Sequence, residues 1–164
     1  MGLESGDAEI LQEIRKNATP DKMIAAGKKV KEAGITISVT VILGLGGIEK
    51  SERHALETAR VLTAIDPDFA AALTLTLVPG TPLYDRWQRG QFTLIDPFQS
   101  LAELKMILEN SNFTNCFFSS MHASNYLSVR GNIPPDKPKM LQQIEKVLQQ
   151  HDKNLLRPEY LRGL

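Results

Sequence analysis

Small and polar residues gather at four points along the chain, each where an apolar run gives way to a helical pattern. Glycines at such points let a ligand approach the backbone closely, and carboxylate, hydroxyl and imidazole groups can bind its polar atoms. We therefore take these four junctions as the candidate site. They are GLESG at 2–6, VILGLGGIEKSE at 41–52, LVPGTPLYDRWQRGQF at 77–92 and SSMHASNYLSVRGNIPPDK at 119–137.

Each junction also has a plainer interpretation when it is taken alone. A glycine-rich turn from strand to helix is most often only a tight turn, and Gly44-x-Gly46 lacks the spacing of a dinucleotide fingerprint. His122, at a predicted strand end, is of a type that more often serves structure than catalysis. His54, in a helical stretch, and His151, near the tail, are predicted to be solvated. The functional interpretation therefore depends on the four junctions together.

The elements that must position the junctions alternate between strands and helices. Thr19-Pro20 and Asp96 are typical helix starts, and Gly34 is a typical helix stop. This alternation predicts a parallel sheet built from βα units. The predicted strands are 2–5, 35–43, 71–78 and 115–121, and the predicted helices are 7–16, 20–33, 50–65, 97–110 and 138–150, with a short helical turn at 83–89.

Polar and apolar residues alternate in the second and third strands, ITISVTVIL at 35–43 and LTLTL at 73–77. A parallel sheet with helices on both faces would be apolar throughout, so the alternation favours a barrel with a wet or ligand-filled lumen over a doubly wound sheet. We predict that Thr36, Thr40, Thr74 and Thr76 face the lumen and that the Ile, Val and Leu residues face the helices.

The predicted fold is thus α/β, with (βα) repeat units that form the C-terminal half of a partial TIM-type barrel with parallel strands. Four units are half of an eight-fold barrel, and the first strand is a stub, so the other half is expected to lie outside this chain. Residues 1–151 are assigned to the half-barrel and 152–164 to a C-terminal tail.

Composition argues against several classes of partner. The formal charge is zero and no long basic run occurs, so nucleic acid is not indicated. No apolar stretch reaches the roughly 20 residues that span a bilayer, so no membrane association is expected. Cys116 is the only cysteine, which excludes an intrachain disulfide and favours a cytoplasmic location. One thiol cannot hold an iron–sulfur cluster or a structural zinc ion, so no metal site is predicted.

In their order, GLESG, ILGLGGIEKSE and LVPGTPLY resemble the later strands of the radical S-adenosylmethionine (radical SAM) superfamily. The resemblance is to the subgroup of methylthiotransferases, oxygen-independent coproporphyrinogen oxidases and elongator-like proteins, and it extends to HASNYLSVRGNIPPDK and RPEYLRGL. It implies a partial (βα) barrel, SAM as cofactor, and a [4Fe–4S] cluster on a CxxxCxxC loop that cleaves SAM to a 5′-deoxyadenosyl radical. This chain contains no CxxxCxxC, so the resemblance implies a parent oxidoreductase whose cluster is held by residues outside this chain, which alone is inactive.

The resemblance also assigns residues to SAM. Glu4 and Ser5 correspond to the polar end of the family's fourth strand, which faces the ribose and methionine parts; a carboxylate there can accept from ribose hydroxyls or pair with the ammonium group. The fifth-strand signature GxIxGxxE sets an apolar residue and a glycine against adenine, and Thr40 replaces its first glycine here. The matching positions in this segment are Ile42, Gly44 and Glu49, with Gly46 between them.

The family's PGT segment closes near the adenine, and Val78, Pro79, Gly80 and Thr81 occupy the equivalent place. A further set of three polar residues matches no family position and is predicted only as a substrate contact. These residues are His122, Ser124 and Asn125.

Three functions stay open on the sequence. The chain is the C-terminal part of a radical SAM enzyme, or a non-catalytic half-barrel that pairs with itself or with a separate N-terminal half, or a glycine-lined phosphate-binding half-barrel unrelated to SAM. The order of the motifs favours the first over the third. A CxxxCxxC motif within about 100–150 residues upstream, the length of three or four βα units, would separate the first from the second.

Overall fold

The strands of the sheet lie side by side in the order in which they occur in the chain. The structure is a computed structural model that describes residues 1–163. Within those residues, β1 (Gly2–Glu4), β2 (Ser38–Leu43), β3 (Phe69–Thr74) and β4 (Cys116–Ser119) are parallel, and β5 (Arg130–Ile133) runs antiparallel to β4 at one edge. The outer edge of β1 has no strand beside it among the described residues.

The helices begin where the sequence predicts capping residues. The Thr19 hydroxyl accepts a hydrogen bond from the Lys22 backbone N–H, and Asp96 and Gln99 form a reciprocal capping box. The helices are α1 (Ala8–Glu13), α2 (Pro20–Glu32), α3 (Gly47–Ile65), α4 (Pro82–Gln88), α5 (Pro97–Asn110) and α6 (Lys137–Gln150), followed by 3-10 turns at Lys153–Leu155 and Glu159–Leu161.

Four helices form a single layer against one face of the sheet. α2 packs on α3, α3 on α5, and α5 on α6. Sequential parallel strands joined by right-handed crossovers place every connecting helix on the same face, as in a (βα) barrel. On the opposite face Ser38 and Phe69 are exposed, while Thr40 and Ala71 are half-buried. The predicted α/β fold of mainly parallel βα units is confirmed.

The hydrophobic core lies between this helix layer and the sheet. Alternate residues of β2 point into it, as predicted: Val39, Val41 and Leu43 are each at most 1% exposed. Phe118 of β4 and Leu156, which follows the first 3-10 turn, are also buried in this core. No helix within residues 1–163 combines the length and apolar character needed to cross a bilayer.

The predicted orientation of the third strand is wrong. The register pairs Leu43 with Thr74 and Ile42 with Leu73, so Thr74 shares the helix-facing side of the sheet. Its hydroxyl lies 3.4 Å from that of Ser100 on α5, and Leu73 takes the lumen side. The strand begins at Phe69, and small residues, Ala70 and Ala72, fill the positions beneath the helices. Leu73 and Thr74, the part of LTLTL that lies in β3, therefore face the sides opposite to those predicted, and residues 75–77 follow the end of the strand.

Two other local predictions also differ from the structure. β2 begins at Ser38, so Ile35, predicted to pack against helices, is 59% exposed, and Thr36 precedes the strand. The segment 119–137, predicted as a polar loop before the last helix, contains β5, which covers the outer edge of β4. Its polar residues are consistent with an edge strand, because an edge strand has one side exposed to water.

The close approach of β1 to α3 requires glycine at position 6. The Gly6 backbone N–H donates to the Thr58 hydroxyl at 2.9 Å, and a Cβ atom at Gly6 would overlap the Glu57 carbonyl group.

We expect Gly6→Ala to lower the free energy of unfolding by about 3 kcal/mol, because backbone atoms of α3 would have to shift. Gly163→Ala is the control, since its Cβ would meet only Ala123 at 3.8 Å. Chemical denaturation measures both, and equal stabilities would contradict the packing argument.

Candidate functional site

The end of β1 presents one half-buried acid and one buried hydroxyl. Glu4 adopts a left-handed backbone conformation (φ +63°), and its carboxylate pairs with Lys16 at 2.9 Å. Ser5 is fully buried, and its hydroxyl lies 2.8 Å from Nδ1 of His54 and accepts from the Asp7 backbone N–H at 3.0 Å. Of the two predicted SAM contacts here, the Glu4 carboxylate is partly open to solvent and the Ser5 hydroxyl is engaged inside the protein.

The glycine-rich junction after β2 turns sharply into α3. Gly44 has φ +80°, a conformation that strongly favours glycine, and its N–H donates to Oε1 of Glu103 at 2.6 Å. Gly46 is the residue before the first turn of α3, and Glu49 is exposed in that turn. Gly44 and Gly46 are buried, so they shape the junction, whereas Glu49 faces solvent.

An apolar cavity brings together residues from two of the predicted segments. Ile42 of β2 and Thr81, the cap of α4, line the same cavity of about 320 Å³. Leu45 and Leu83 supply further apolar wall, and Arg15 lies at its border. Ile42 and Thr81 thus bring the fifth-strand segment and the PGT segment onto one concave surface.

The remaining residues of the PGT segment form an exposed loop. Val78 is 40% exposed, Pro79 and Gly80 are exposed, and Gly80 has φ +83°. The Thr81 hydroxyl donates to the Val78 carbonyl at 2.7 Å and accepts from the Tyr84 N–H at 3.3 Å. Thr81 thus fixes the end of this loop to the start of α4.

The three predicted substrate contacts lie at the end of β4 and brace the sheet. Asn125 is 2% exposed; its amide donates to the carbonyls of Ala72 and Ser120, and its Oδ1 accepts from the Thr74 hydroxyl. Ser124, also 2% exposed, accepts from the Thr74 N–H at 3.0 Å. His122 is exposed, and its Nδ1 contacts the Ser124 hydroxyl at 2.9 Å. Only His122 has a surface that a substrate can reach.

A buried polar network beneath the β2–α3 junction was missed by sequence reasoning. Glu103 on α5 is 1% exposed; its carboxyl accepts from the Gly44 N–H and from the Ser51 hydroxyl on α3. His54 on α3 is fully buried, 3.5 Å from the Glu103 carboxyl, and its Nε2 contacts the Ile42 carbonyl at 3.0 Å. The network links β2, α3 and α5 at one point.

The electrostatics of this network follow from its burial. Loss of water contact raises the pKa of Glu103 to about 7 and lowers the pKa of His54 to about 4. A neutral His54 with its proton on Nε2 donates to the Ile42 carbonyl, so Nδ1 accepts from the Ser5 hydroxyl. Serine, histidine and glutamate in this order resemble a nucleophilic triad, but Ser5 and His54 are 0% exposed, so the arrangement is a structural brace.

The sequence contained a signal for these two residues. His54 lies four residues before Thr58, and both are fully buried on the face of α3 that includes Leu62. Glu103 lies beside Leu104 on the buried face of α5. A polar residue at a core position of a helical repeat indicates a buried, hydrogen-bonded group, so the prediction that His54 is solvated was wrong. His151 is exposed as predicted, and its ring stacks on Phe98.

Ion pairs fix α1 at the rim of the junction. Lys50 of α3 contacts Glu9 at 2.5 Å and also pairs with Glu13, and Arg53 contacts Glu9 and Asp7. Hydrogen bonds from Lys50 and Arg53 lower the pKa of Glu9 to about 2. The Glu9 carboxylate is therefore ionised at neutral pH, where its ion pairs with Lys50 and Arg53 connect α1 to the start of α3.

Side chains that can bind a metal ion do not cluster in the part of the chain that the structure describes. Residues 1–163 contain no group of three or more His, Cys, Asp or Glu side chains placed to hold a metal ion. Cys116 is buried in β4, and burial raises the pKa of its thiol to about 12, so the thiol is protonated at neutral pH. The donor set does not fit an iron–sulfur cluster.

The fold and the site define an α/β protein with a mainly parallel sheet, alternating helices and a glycine-rich set of strand ends. No family model matches the chain. It is 26% identical over 110 residues to an uncharacterised protein of Methanocaldococcus jannaschii. This alignment covers 67% of this chain and 34% of that protein. It is also 26% identical over 127 residues to an uncharacterised methyltransferase of Pyrococcus horikoshii, covering 77% and 27% of the two chains.

A solved structure shares the fold. The archaeal Elp3 of Methanocaldococcus infernus, with an N-terminal deletion, superposes with a TM-score of 0.64 at 16% identity. The alignment covers 92% of this chain and 35% of Elp3. The chain therefore has the fold of one part of Elp3, and it spans between 27% and 35% of the length of each of these similar proteins.

The buried pair should give opposite pH dependences of stability when each member is replaced. Glu103 binds its proton more tightly in the folded state than in the unfolded state. Its contribution to the free energy of unfolding is therefore lost as pH rises from 4.5 through about 7. His54 binds its proton less tightly when folded, so its contribution is lost as pH falls from 6.5 through about 4. In the unchanged protein these two effects oppose each other between about pH 4.5 and 6.5.

We therefore expect the stability of Glu103→Gln, relative to the unchanged protein, to rise with pH in this range, and that of His54→Gln to fall. Each slope should be at most about 1.4 kcal/mol per pH unit, the value for one proton. Urea denaturation at several pH values measures both slopes, and the double variant is the control, with the two differences largely cancelling. Slopes of the same sign for the two single variants would contradict the assignment of the pKa values.

Proposed function

We propose that this chain is the C-terminal part of a radical SAM enzyme and that the adenosine part of SAM lies at the carboxyl end of β2. One observation carries the proposal. Ile42 and Thr81 come from separate sequence segments that the family resemblance assigns to the adenine, and both line one apolar cavity. The shared fold with Elp3, an elongator protein, agrees with the elongator-like subgroup of the resemblance. The name of the Pyrococcus relative, a methyltransferase, is consistent with use of SAM.

The residues around the cavity suit the parts of SAM differently. Ile42, Leu45 and Leu83 offer apolar surface to the faces of a purine ring. The Glu4 carboxylate would exchange its partly exposed pair with Lys16 for the ribose hydroxyls or the ammonium group. Ser5 contributes through the brace with His54, because its hydroxyl is already occupied. Bound SAM would supply the methionine and adenosyl groups on which the parent enzyme acts.

The iron–sulfur cluster of the parent enzyme would belong to residues outside this chain, since the buried Cys116 does not fit it. The open face of the sheet supports further βα units. Phe69 is 46% exposed on that face and meets Phe117 edge to face, with ring centroids 6.3 Å apart. Together with the free outer edge of β1, this face would be covered if further units of the same barrel closed around the lumen.

The alternative function is a half-barrel module that pairs with a second copy or with a separate N-terminal half. The same exposed face and edge favour it, and it needs no SAM. The product of the complete gene separates the two proposals. A SAM-cleaving enzyme with a CxxxCxxC motif supports the first, and a complete product that binds no SAM supports the second.

Replacing Ile42 should weaken SAM binding. We expect Ile42→Thr, made in the complete gene product, to raise the Kd for SAM about tenfold, because apolar surface against the purine is lost. Ile48→Thr is the matched control, since Ile48 is 47% exposed in the first turn of α3 and lies outside the cavity. Equilibrium dialysis with radiolabelled SAM measures both. Equal Kd values for Ile42→Thr and the unchanged protein would overturn the placement of the adenine.

The isolated chain should self-associate through its open face. We expect light scattering to show a concentration-dependent increase in mass, and Phe69→Ser combined with Phe117→Ser to reduce it, because the exposed aromatic pair is removed. Tyr160→Ser is the control, since Tyr160 is 84% exposed in the tail, away from the sheet. A dilution-resistant monomer for the unchanged chain would count against an interface on this face.

A further inference from the structure

A second cavity, of about 280 Å³, lies at the ends of β2 and β3 and shares no lining residue with the cavity beneath Ile42. The two cavities meet different faces of α4. Leu83 of this helix lines the cavity beneath Ile42, whereas Tyr84 and Trp87, whose ring centroids lie 5.4 Å apart, line the second. Tyr126, which follows β4, and Arg162 of the tail close the other side of the second cavity.

Arg162 brings a fixed positive charge to this cavity. Its side chain is only 7% exposed. The guanidinium donates to the carbonyls of Ser124 at 2.7 Å and Leu75 at 3.1 Å and to the Tyr126 hydroxyl, and it lies 4.1 Å from the centre of the Tyr126 ring. All of these partners are neutral. They orient the cation but do not balance its charge, which a buried guanidinium requires.

The charge is balanced by a carboxylate that is easily replaced. Among residues 1–163, the carboxylate within ion-pair distance of Arg162 is that of Glu159, three residues earlier in a 3-10 turn. The Glu159 side chain is 72% exposed, so it gains little by holding this position and returns to water at low cost. Glu159 therefore occupies the place that the carboxylate of a ligand would take.

One polar atom beside the cavity lacks a partner. The Thr76 hydroxyl is buried, lines the same cavity and makes no hydrogen bond within the part of the chain that the structure describes. A buried hydroxyl without a partner is energetically unfavourable. Leu77, Leu94 and Ile95 supply apolar wall to the cavity.

We propose that this cavity binds a small carboxylate with an aromatic body, its carboxylate on Arg162 in place of Glu159 and its ring against Tyr84 and Trp87. The volume is near the lower end for small-molecule sites, which limits the ligand to a single ring with a short acidic arm. Aromatic side chains pack well against such a ring, and the guanidinium forms paired hydrogen bonds with its carboxylate. Gly44, which the family resemblance assigns to SAM, also lines this cavity. The proposed contacts with Arg162, Tyr84 and Trp87 do not require SAM.

Trp87 makes the proposal directly measurable, because it is the only tryptophan of the chain. Phenylacetate serves as the probe and 2-phenylethanol as its uncharged counterpart, with fluorescence excited where neither absorbs. We expect a saturable fluorescence change, with at least tenfold tighter binding of phenylacetate than of the alcohol. No saturable change, or equal affinity for the two compounds, would overturn the proposal.

Variants of the two charged residues test the assignment further. Glu159→Gln should tighten phenylacetate binding at least threefold, because the competing carboxylate is removed, whereas Glu32→Gln, exposed at the end of α2, should leave it unchanged. Arg162→Gln should abolish the preference for the acid over the alcohol. Glu159→Gln is on the surface and does not threaten folding, so unchanged phenylacetate affinity in that variant would overturn the proposal even if Arg162→Gln failed to fold. Saturating SAM should leave saturable phenylacetate binding in place, with at most a limited change in its Kd. An apparent Kd for phenylacetate that rises without limit in proportion to the SAM concentration would place both ligands in one site and contradict a separate cavity.

Discussion

The buried carboxyl of Glu103 is the interaction on which the candidate site depends. It accepts from the backbone of Gly44 and from Ser51, and so fixes the left-handed turn between β2 and α3 from beneath. Burying a carboxyl is costly unless its oxygens are hydrogen-bonded, and here both oxygens are. The position of Ile42, and with it the wall of the apolar cavity, follows from a turn that Glu103 and His54 hold in place.

The order of the strands accounts for the open lumen. Because each βα unit adds its strand next to the previous one, the helices cover one face and the junctions meet at one edge. The sequence was sufficient to predict this much, since the helix caps at Thr19 and Asp96 and the alternation in β2 each have a local cause. The family resemblance assigns Ile42 and Thr81 to the same ligand, an assignment that no local pattern in either segment indicates.

The features that could not be predicted depend on contacts between distant segments. In LTLTL at 73–77, Leu and Thr simply alternate, so the pattern alone cannot show which of the two residue types faces the helices. The missing information lies in Asn125, more than fifty positions away. Its amide oxygen accepts a hydrogen bond from the Thr74 hydroxyl, so a polar residue can be buried beneath α5. Ser124 adds a bond to the Thr74 backbone. Two residues predicted to contact substrate are thus the reason that the third strand faces as it does.

The position of α4 connects the two cavities. This seven-residue helix has no buried residue and is held by the Thr81 cap, by the exposed ion pair of Arg86 with Glu13 at 3.2 Å, and by its contacts with the cavity walls. An element with so little buried surface has low local stability, so its position depends on what fills the spaces beside it. A ligand in either cavity would pack against α4 and reduce its freedom. Since any effect of one ligand on the affinity for another is reciprocal, α4 provides a physical route by which occupancy of the carboxylate cavity and of the cavity beneath Ile42 would influence each other.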